Sequence, residues 1–230
     1  MRNEFLLIGN LIVCYGMVLL WMKLFGKKGL MAFTCVATVA ANIEVLILIE
    51  AFGMEQTLGN VLFAATFLVT DILSEVCGKK DADKAVNMGI LTTVCFVIIS
   101  QWWLFYIPSA NDVMFDHIKA VFSNTPRVMF SSLLVYAIVQ KFDVWLYHKI
   151  WEITNKNHEK KYGLWLRNNG STLCSQLLNS ILFNIFAFGG VFDTKTIISI
   201  ITSCYAIFIV TSIADTPFVY IARKIYKEID

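Results

Sequence analysis

Four acidic residues, Asp71, Glu75, Asp143 and Asp215, lie within stretches that are otherwise apolar enough to cross a lipid bilayer. Charge inside a bilayer costs free energy, so an ionisable residue in a spanning helix usually faces a bundle interior and marks the path of a solute or an ion. Asp71 and Glu75 are four residues apart and share one helix face, where two like charges need cationic or hydrogen-bond-donating partners. This pattern predicts a membrane protein that handles a polar solute.

A second polar face is expected on the fifth apolar stretch. Gln140 and Asp143 are three residues apart and point the same way on a helix. Arg127 follows Pro126, a residue suited to a helix start, at the other end of this stretch. Two interpretations of Arg127 remain open: it anchors the membrane interface, or it closes the site by pairing with a carboxylate.

The sixth apolar stretch carries a stripe of uncharged polar residues. Thr172, Gln176 and Asn179 follow one another at the spacing of one helix face, with Asn184 farther along. The preceding segment 167–172, R-N-N-G-S-T, predicts a turn and a Ser/Thr cap before the helix. The stripe suits either hydrogen bonding between helices or recognition of a heteroaromatic ligand by amides.

The seventh stretch carries Thr211, Ser212 and Asp215 on one face, followed by Thr216 and Pro217. Proline lacks the amide hydrogen that bonds to the carbonyl four residues earlier, so a bend is expected in this helix.

For residues of the second and third apolar stretches, the sequence leaves more than one interpretation. Asn42 and Glu44 are two residues apart and cannot share a helix face, and we select Asn42 as the residue that reaches a central site. Glu75 lies close to Lys79 and Lys80, so it belongs either to the site or to the membrane interface.

Composition sets the class of the protein. Of the 230 residues, 57% are hydrophobic and 16% charged, and the mean hydropathy is +0.66, values typical of a polytopic membrane protein. The sequence therefore predicts a single-domain, all-α integral membrane protein. Seven stretches approach the length of a spanning helix: Phe5–Phe25, Leu30–Phe52, Leu58–Val76, Val86–Ile107, Val128–Tyr147, Thr172–Gly190 and Thr196–Tyr220.

Basic residues predict the orientation. The connections after the first, third and fifth stretches, together with the C-terminus, carry 14 of the 19 lysine and arginine residues, Arg167 among them. Short loops rich in these residues stay in the cytoplasm. We therefore expect the N-terminus outside and the C-terminus in the cytoplasm.

Several function classes lack their motifs. The sequence has no phosphate-binding glycine loop, no H-E-x-x-H pair and no G-x-S-x-G elbow, so we expect neither ATP hydrolysis nor another enzymatic activity. The six cysteines form no C-x-x-C pair and lie mostly in apolar stretches, which favours buried thiols over a metal site. No cofactor, metal or nucleic acid is expected.

Five segments together carry a family resemblance: T-D-I-L-S-E-V-C-G-K-K (70–80), F-D-V-W-L-Y-H-K (142–149), W-L-R-N-N-G-S-T (165–172), S-Q-L-L-N-S (175–180) and D-T-P-F (215–218). From about Asn42 to Lys224 the chain resembles the queuosine precursor transporter family, also called the vitamin uptake transporter family. The resemblance implies a transporter in the bacterial cytoplasmic membrane that imports a 7-deazaguanine base such as 7-cyano- or 7-aminomethyl-7-deazaguanine, or queuine. It also implies a core of six helices, to which the first stretch adds one.

The resemblance also implies site residues. The substrate-binding candidates, from the residue patterns and from the family motif together, are Asn42, Thr70, Asp71, Glu75, Arg127, Gln140, Asp143, Gln176, Asn179 and Asp215. Further motif positions are Arg167, Asn168, Ser171, Thr172 and Pro217. The chain departs from its relatives at two positions, since they commonly have an aspartate in place of Asn179 and many have a lysine around Phe208.

A different class of function remains open beside the transporter. Small hydrophobic chains without nucleotide motifs also serve as substrate-capture subunits of importers that need a separate ATPase partner. The small-molecule substrate and the lipid bilayer are partners in both interpretations, and a homodimer is possible in both.

Overall fold

Long apolar helices make up most of the protein. A computed structural model describes residues 2–123, 126–154 and 163–229. The helices of this part of the chain are α1 (Arg2–Glu44), α2 (Asn60–Val76), α3 (Lys79–Trp103), α4 (Phe115–Ser123), α5 (Pro126–Thr154), α6 (Leu164–Phe188) and α7 (Thr194–Ile229), with two strands, β1 (Leu48–Ala51) and β2 (Met54–Thr57), between α1 and α2.

Helix α1 is broken at Gly26, whose φ of 59° and ψ of −144° are not helical. A positive φ is accessible to glycine at little cost. Gly29 permits the close return of the chain, because a Cβ at this position would collide with the main-chain carbonyl of Trp21. The predicted division between the first two helices is therefore confirmed.

The second predicted helix is wrong at its end, because α1 stops at Glu44 and residues 48–57 form a β-hairpin. Phe52 and Gly53 join the strands, both with positive φ (55° and 69°), which is the conformation of a two-residue hairpin turn. The run V-L-I-L-I (45–49) favours a strand as much as a helix. The fold is thus helical with one small hairpin.

Other boundaries also differ from the predicted ones. Helix α3 begins seven residues earlier than predicted, at Lys79, because its charged first turns still bury Ala82, Ala85 and Val86 on one face. The short helix α4 was not predicted; Asp112 caps it by accepting hydrogen bonds from the amides of Met114 and Phe115. Helix α7 continues through Pro217 to Ile229.

The two ends of the helical bundle are identified by the contacts made there. At the hairpin end, Asn3 donates a hydrogen bond to the carbonyl of Glu50, and Arg127 donates to the carbonyl of Gly189. At the opposite end, which we call the lysine end, Lys27 pairs with Asp81 at 3.1 Å. Each long helical segment, with α1 counted as two, runs from one end to the other.

Five helices in the described part of the chain are long and apolar enough to cross a membrane: α1, α3, α5, α6 and α7. Helix α2 has only 17 residues, but it lies in the middle of the bundle, and its residues from Ala64 to Ser74 are all buried. Polar residues on α2 therefore face other helices and not lipid, and this arrangement positions the candidate site.

Candidate functional site

One face of α6 carries a column of buried polar side chains along its length. Most members lie three or four residues from another member, the spacing of one helix face. The column consists of Arg167, Asn168, Thr172, Ser175, Gln176, Asn179 and Asn184, each at most 7% exposed. Helices α2, α5 and α7 face this column, so the candidate site lies between these four helices.

The predicted turn at 167–172 is wrong, because α6 begins at Leu164 and includes these residues. Gly163 precedes the helix with a φ of 88°, and the amide of Arg167 donates to its carbonyl at 3.0 Å. Asn168 and Asn169 are buried in the helix instead of lying in a loop. The helical conformation is tolerated because neighbouring helices supply partners for these side chains.

At the lysine end of the column, Arg167 forms a buried ion pair with Glu75. The guanidinium Nε and Nη2 donate to the two carboxylate oxygens at 2.9 and 2.7 Å. The Tyr147 hydroxyl donates to the same carboxylate at 2.8 Å, and Arg223 approaches it to 3.5 Å. The guanidinium also lies over the Trp151 ring, 4.3 Å from its centre.

This cluster corrects one interpretation from the sequence and bears on another. Arg167 is not a loop charge, because its side chain is buried against Glu75. Glu75 faces the interior of the bundle. Tyr147 and Trp151 were missed as members of the cluster. The signal that indicates them is their spacing, since Asp143, Tyr147 and Trp151 follow one another four residues apart on one face of α5.

Three aspartates, one each from α2, α5 and α7, face the middle of the column. Thr172 donates its hydroxyl to Asp71 at 2.9 Å, and the Asn168 amide donates to Asp215 at 2.7 Å. Asp143 has Asp71, Ser171 and Ser175 as polar neighbours, yet neither of its carboxylate oxygens has a hydrogen-bond partner among the described residues. Within those ranges, none of the three aspartates forms an ion pair.

Two glutamines near the aspartates differ in their partners. Gln140 donates to Thr66 at 2.7 Å and accepts from Thr70 at 3.2 Å, so its amide joins α5 to α2. Gln176 is equally buried, but in the part of the chain that the structure describes neither amide atom has a partner. The hydroxyl of Ser175 is likewise unpaired there. The Gln140 amide therefore already has partners between helices, while both amide atoms of Gln176 lack one in the described ranges.

Two predicted site residues lie apart from the aspartates. Arg127 is at the hairpin end and donates to the carbonyls of Phe186 and Gly189, two of the carbonyls at the end of α6 that lack helical partners. The structure does not bring it to a carboxylate within the described ranges. Asn42 is buried and donates to Thr38 of its own helix at 2.7 Å, beside a small cavity that Thr66 and Tyr136 also line.

A cavity of about 140 Å³ lies at the hairpin end of the column, between the hairpin, α2, α6 and α7. Asn179 and Phe208, the two positions at which the family resemblance implies an aspartate and a lysine in relatives, line this same cavity. An aspartate and a lysine at these two positions would lie in the same cavity and their charges would cancel. The cavity with Asn179 and Phe208 instead therefore has the same net charge. Asn179 is one helical turn from Gln176 on α6.

Similarity to known proteins identifies the family of the chain. Residues 57–222 match a family model described as "Putative vitamin uptake transporter". The chain is also 36% identical over 213 residues to a protein of Bacillus subtilis (strain 168) named "Probable queuosine precursor transporter", with 93% of this chain and 91% of that protein covered. No solved structure matches the chain. The family resemblance is confirmed: the chain belongs to the vitamin uptake transporter family, and it is a multi-pass protein of the bacterial plasma membrane.

Proposed function

We propose that this protein imports a queuosine precursor, a 7-deazaguanine base, across the plasma membrane. The observation that carries the proposal is the buried Gln176 amide, which lacks a partner among the described residues and lies one turn from Thr172, the residue that binds Asp71. A buried amide without partners costs about 1–3 kcal/mol for each unsatisfied group, so its presence favours a ligand that supplies the missing hydrogen bonds. The relative from B. subtilis carries such a transport function in its name.

The chemistry of the column suits this substrate class. A 7-deazaguanine presents adjacent N–H donors, which a carboxylate such as that of Asp71 or Asp143 accepts in pairs, and a carbonyl that the amide of Gln176 can bind. An aminomethyl group on the ring would gain further from three aspartates that have no ion-pair partner in the described ranges. In this proposal Asp71, Asp143, Asp215 and Gln176 contact the substrate, and Thr70 and Gln140 position α2 against α5.

We also propose that seven helical segments span the membrane, with the N-terminus outside and the C-terminus in the cytoplasm. The two parts of α1 together with α2, α3, α5, α6 and α7 give seven passages. The lysine end then faces the cytoplasm. This agrees with the distribution of the basic residues in the connections, even when the buried Arg167 is not counted among them. A thiol-reactive reagent that does not cross membranes tests this in intact cells, because a cysteine added at the N-terminus should react and one added at the C-terminus should not.

The alternative is a substrate-capture subunit that needs a separate ATPase. Purified protein in liposomes separates the two functions. Uptake of radiolabelled 7-cyano- or 7-aminomethyl-7-deazaguanine by this chain alone supports the proposal, and binding without uptake favours the subunit. A bacterial host that cannot make the precursors provides a second test, because expression of this chain should restore queuosine in its tRNA when a precursor is supplied.

A further inference from the structure

The cavity at the hairpin end, which we call the amide cavity, is lined by Gln56, Asn60 and Asn184 and by the rings of Phe183, Phe188, Phe192 and Phe208. We infer that it is a recognition site for an uncharged planar heterocycle, separate from the three aspartates. The inference rests on the proposed function and adds an earlier step to it: the ring is selected at the amide cavity before it reaches the aspartates.

Unpaired amide atoms are the first support. The side-chain nitrogens of Gln56 and Asn60 and the side-chain oxygen of Asn184 are buried without a partner in the described part of the chain. Gln56 and Asn184 are only 3% and 1% exposed. The other half of the Asn184 amide donates to the carbonyl of Ser180 at 2.8 Å, which fixes its orientation. The weakly polar Cys204 thiol lies beside Asn60 and Asn184. The cavity therefore offers two amide donors and one acceptor that a ligand can bind.

The walls of the cavity indicate the shape and charge of that ligand. Four phenylalanine rings supply surfaces on which a flat ring can stack. No lysine, arginine, aspartate or glutamate is among the residues that line it. A charged ligand would lose its hydration there without gaining a counter-ion, so the cavity favours an uncharged ring with its own N–H and carbonyl groups.

The position of the cavity gives it a place in the transport path. A smaller cavity adjoins it, and the two share Asn60, Asn179 and Phe208. Asn179 is one turn from Gln176 on the buried face of α6. A ring released from the amide cavity thus meets Asn179 and then Gln176 before it meets Asp71 and Asp143, without leaving this face of the helix.

Cys204 makes the inference testable, because its buried side chain lines the amide cavity, while Cys174 lies exposed on α6. Purified protein is treated with a small maleimide with and without 7-cyano-7-deazaguanine, an uncharged probe, and modification of each cysteine is measured by mass spectrometry. The probe should slow modification of Cys204 at least about threefold and leave Cys174 unchanged. Asp71→Asn, which removes the deeper site, should retain this protection.

Uptake kinetics in liposomes provide the second measurement. Gln56→Met and Asn184→Leu, both close in shape to the native residues, should raise KM about three- to tenfold, the effect of one lost neutral hydrogen bond. They should change kcat by no more than about twofold. Asn87→Leu, on the exposed surface of α3, is the matched control and should leave both constants unchanged.

The two proposals fail differently. If the wild-type protein neither binds nor transports any 7-deazaguanine, the proposed function is wrong and the inference falls with it. If the wild type transports the probe, but Cys204 is not protected and both variants keep the wild-type KM, the amide cavity is not a recognition site and only the inference is overturned. If the probe does not protect Cys204 in Asp71→Asn, the amide cavity is not a site separate from the aspartates, and the inference is likewise overturned.

Discussion

Arg167 binds Glu75 through two parallel hydrogen bonds of 2.9 and 2.7 Å, and the two side chains are 1% and 3% exposed. The pair joins the first turn of α6 to the last turn of α2 at the lysine end of the polar column. The planar guanidinium fits both carboxylate oxygens at once, which a lysine ammonium does not. The lysine end of the column is therefore closed by a buried ion pair.

The first prediction concerns this pair. Glu75→Gln leaves the Arg167 guanidinium buried without its counter-ion, and such a loss destabilises by about 3–5 kcal/mol. The double variant Glu75→Leu with Arg167→Met should be more stable than Glu75→Gln, because it does not leave the Arg167 guanidinium buried without its carboxylate. Thermal unfolding in detergent measures both. Glu152→Gln removes an exposed pair with Lys149 and should have almost no effect; a double variant less stable than Glu75→Gln would contradict the explanation.

The second prediction is that Asp71→Asn reduces the initial rate of uptake about tenfold or more while expression and membrane insertion stay normal. The carboxylate retains one oxygen for the substrate, because Thr172 occupies only the other. Hydrogen bonds to a charged group are stronger than those to a neutral amide. Asp116→Asn, at an exposed position of α4, is the matched control. Wild-type uptake by a well-expressed Asp71→Asn protein contradicts a substrate role.

The third prediction separates stability from transport at Asp143. This carboxylate is fully buried and has no hydrogen-bond partner for either oxygen in the described ranges. Asp143→Asn removes the cost of burying a charge, so the unfolding temperature should rise by about 2–4 °C for each kcal/mol gained. Uptake should fall nonetheless. A variant that is both less stable and fully active would show that Asp143 belongs to the scaffold.

The fourth prediction compares two buried glutamines. Gln140→Leu breaks hydrogen bonds to Thr66 and Thr70 and should destabilise the protein without ligand by about 1–3 kcal/mol. Gln176→Leu breaks no described hydrogen bond, so its unfolding temperature without ligand should stay at or above the wild-type value. It should lose most of the stabilisation that the substrate provides. Thermal unfolding with and without 7-aminomethyl-7-deazaguanine distinguishes the two roles. If Gln176→Leu unfolds at a lower temperature without ligand and keeps the wild-type ligand-induced shift, Gln176 is part of the scaffold.

Much of this protein can be predicted from its sequence, because apolar runs and helical spacing are local properties of the chain. The long apolar stretches indicate a membrane protein, and the glycines at 26 and 29 indicate where α1 breaks. The stripe of Thr172, Gln176 and Asn179 indicates the buried face of α6. The motif segments, through a family resemblance, indicate the substrate class that we propose. Local signals failed at the hairpin, since the run from Val45 to Ile49 suits a helix and a strand alike.

Only the tertiary structure decided which polar residues are paired. Glu75 and Arg167 are 92 residues apart in sequence. No local pattern indicates that Arg167 binds a carboxylate of α2 instead of lying in a loop with the other basic residues. Gln140 and Gln176 look alike in sequence, yet the amide of Gln140 joins two helices and that of Gln176 has no partner among the described residues. The partner of a buried polar side chain depends on the rotation and contact of separate helices, and this packing is what distinguishes scaffold from candidate site.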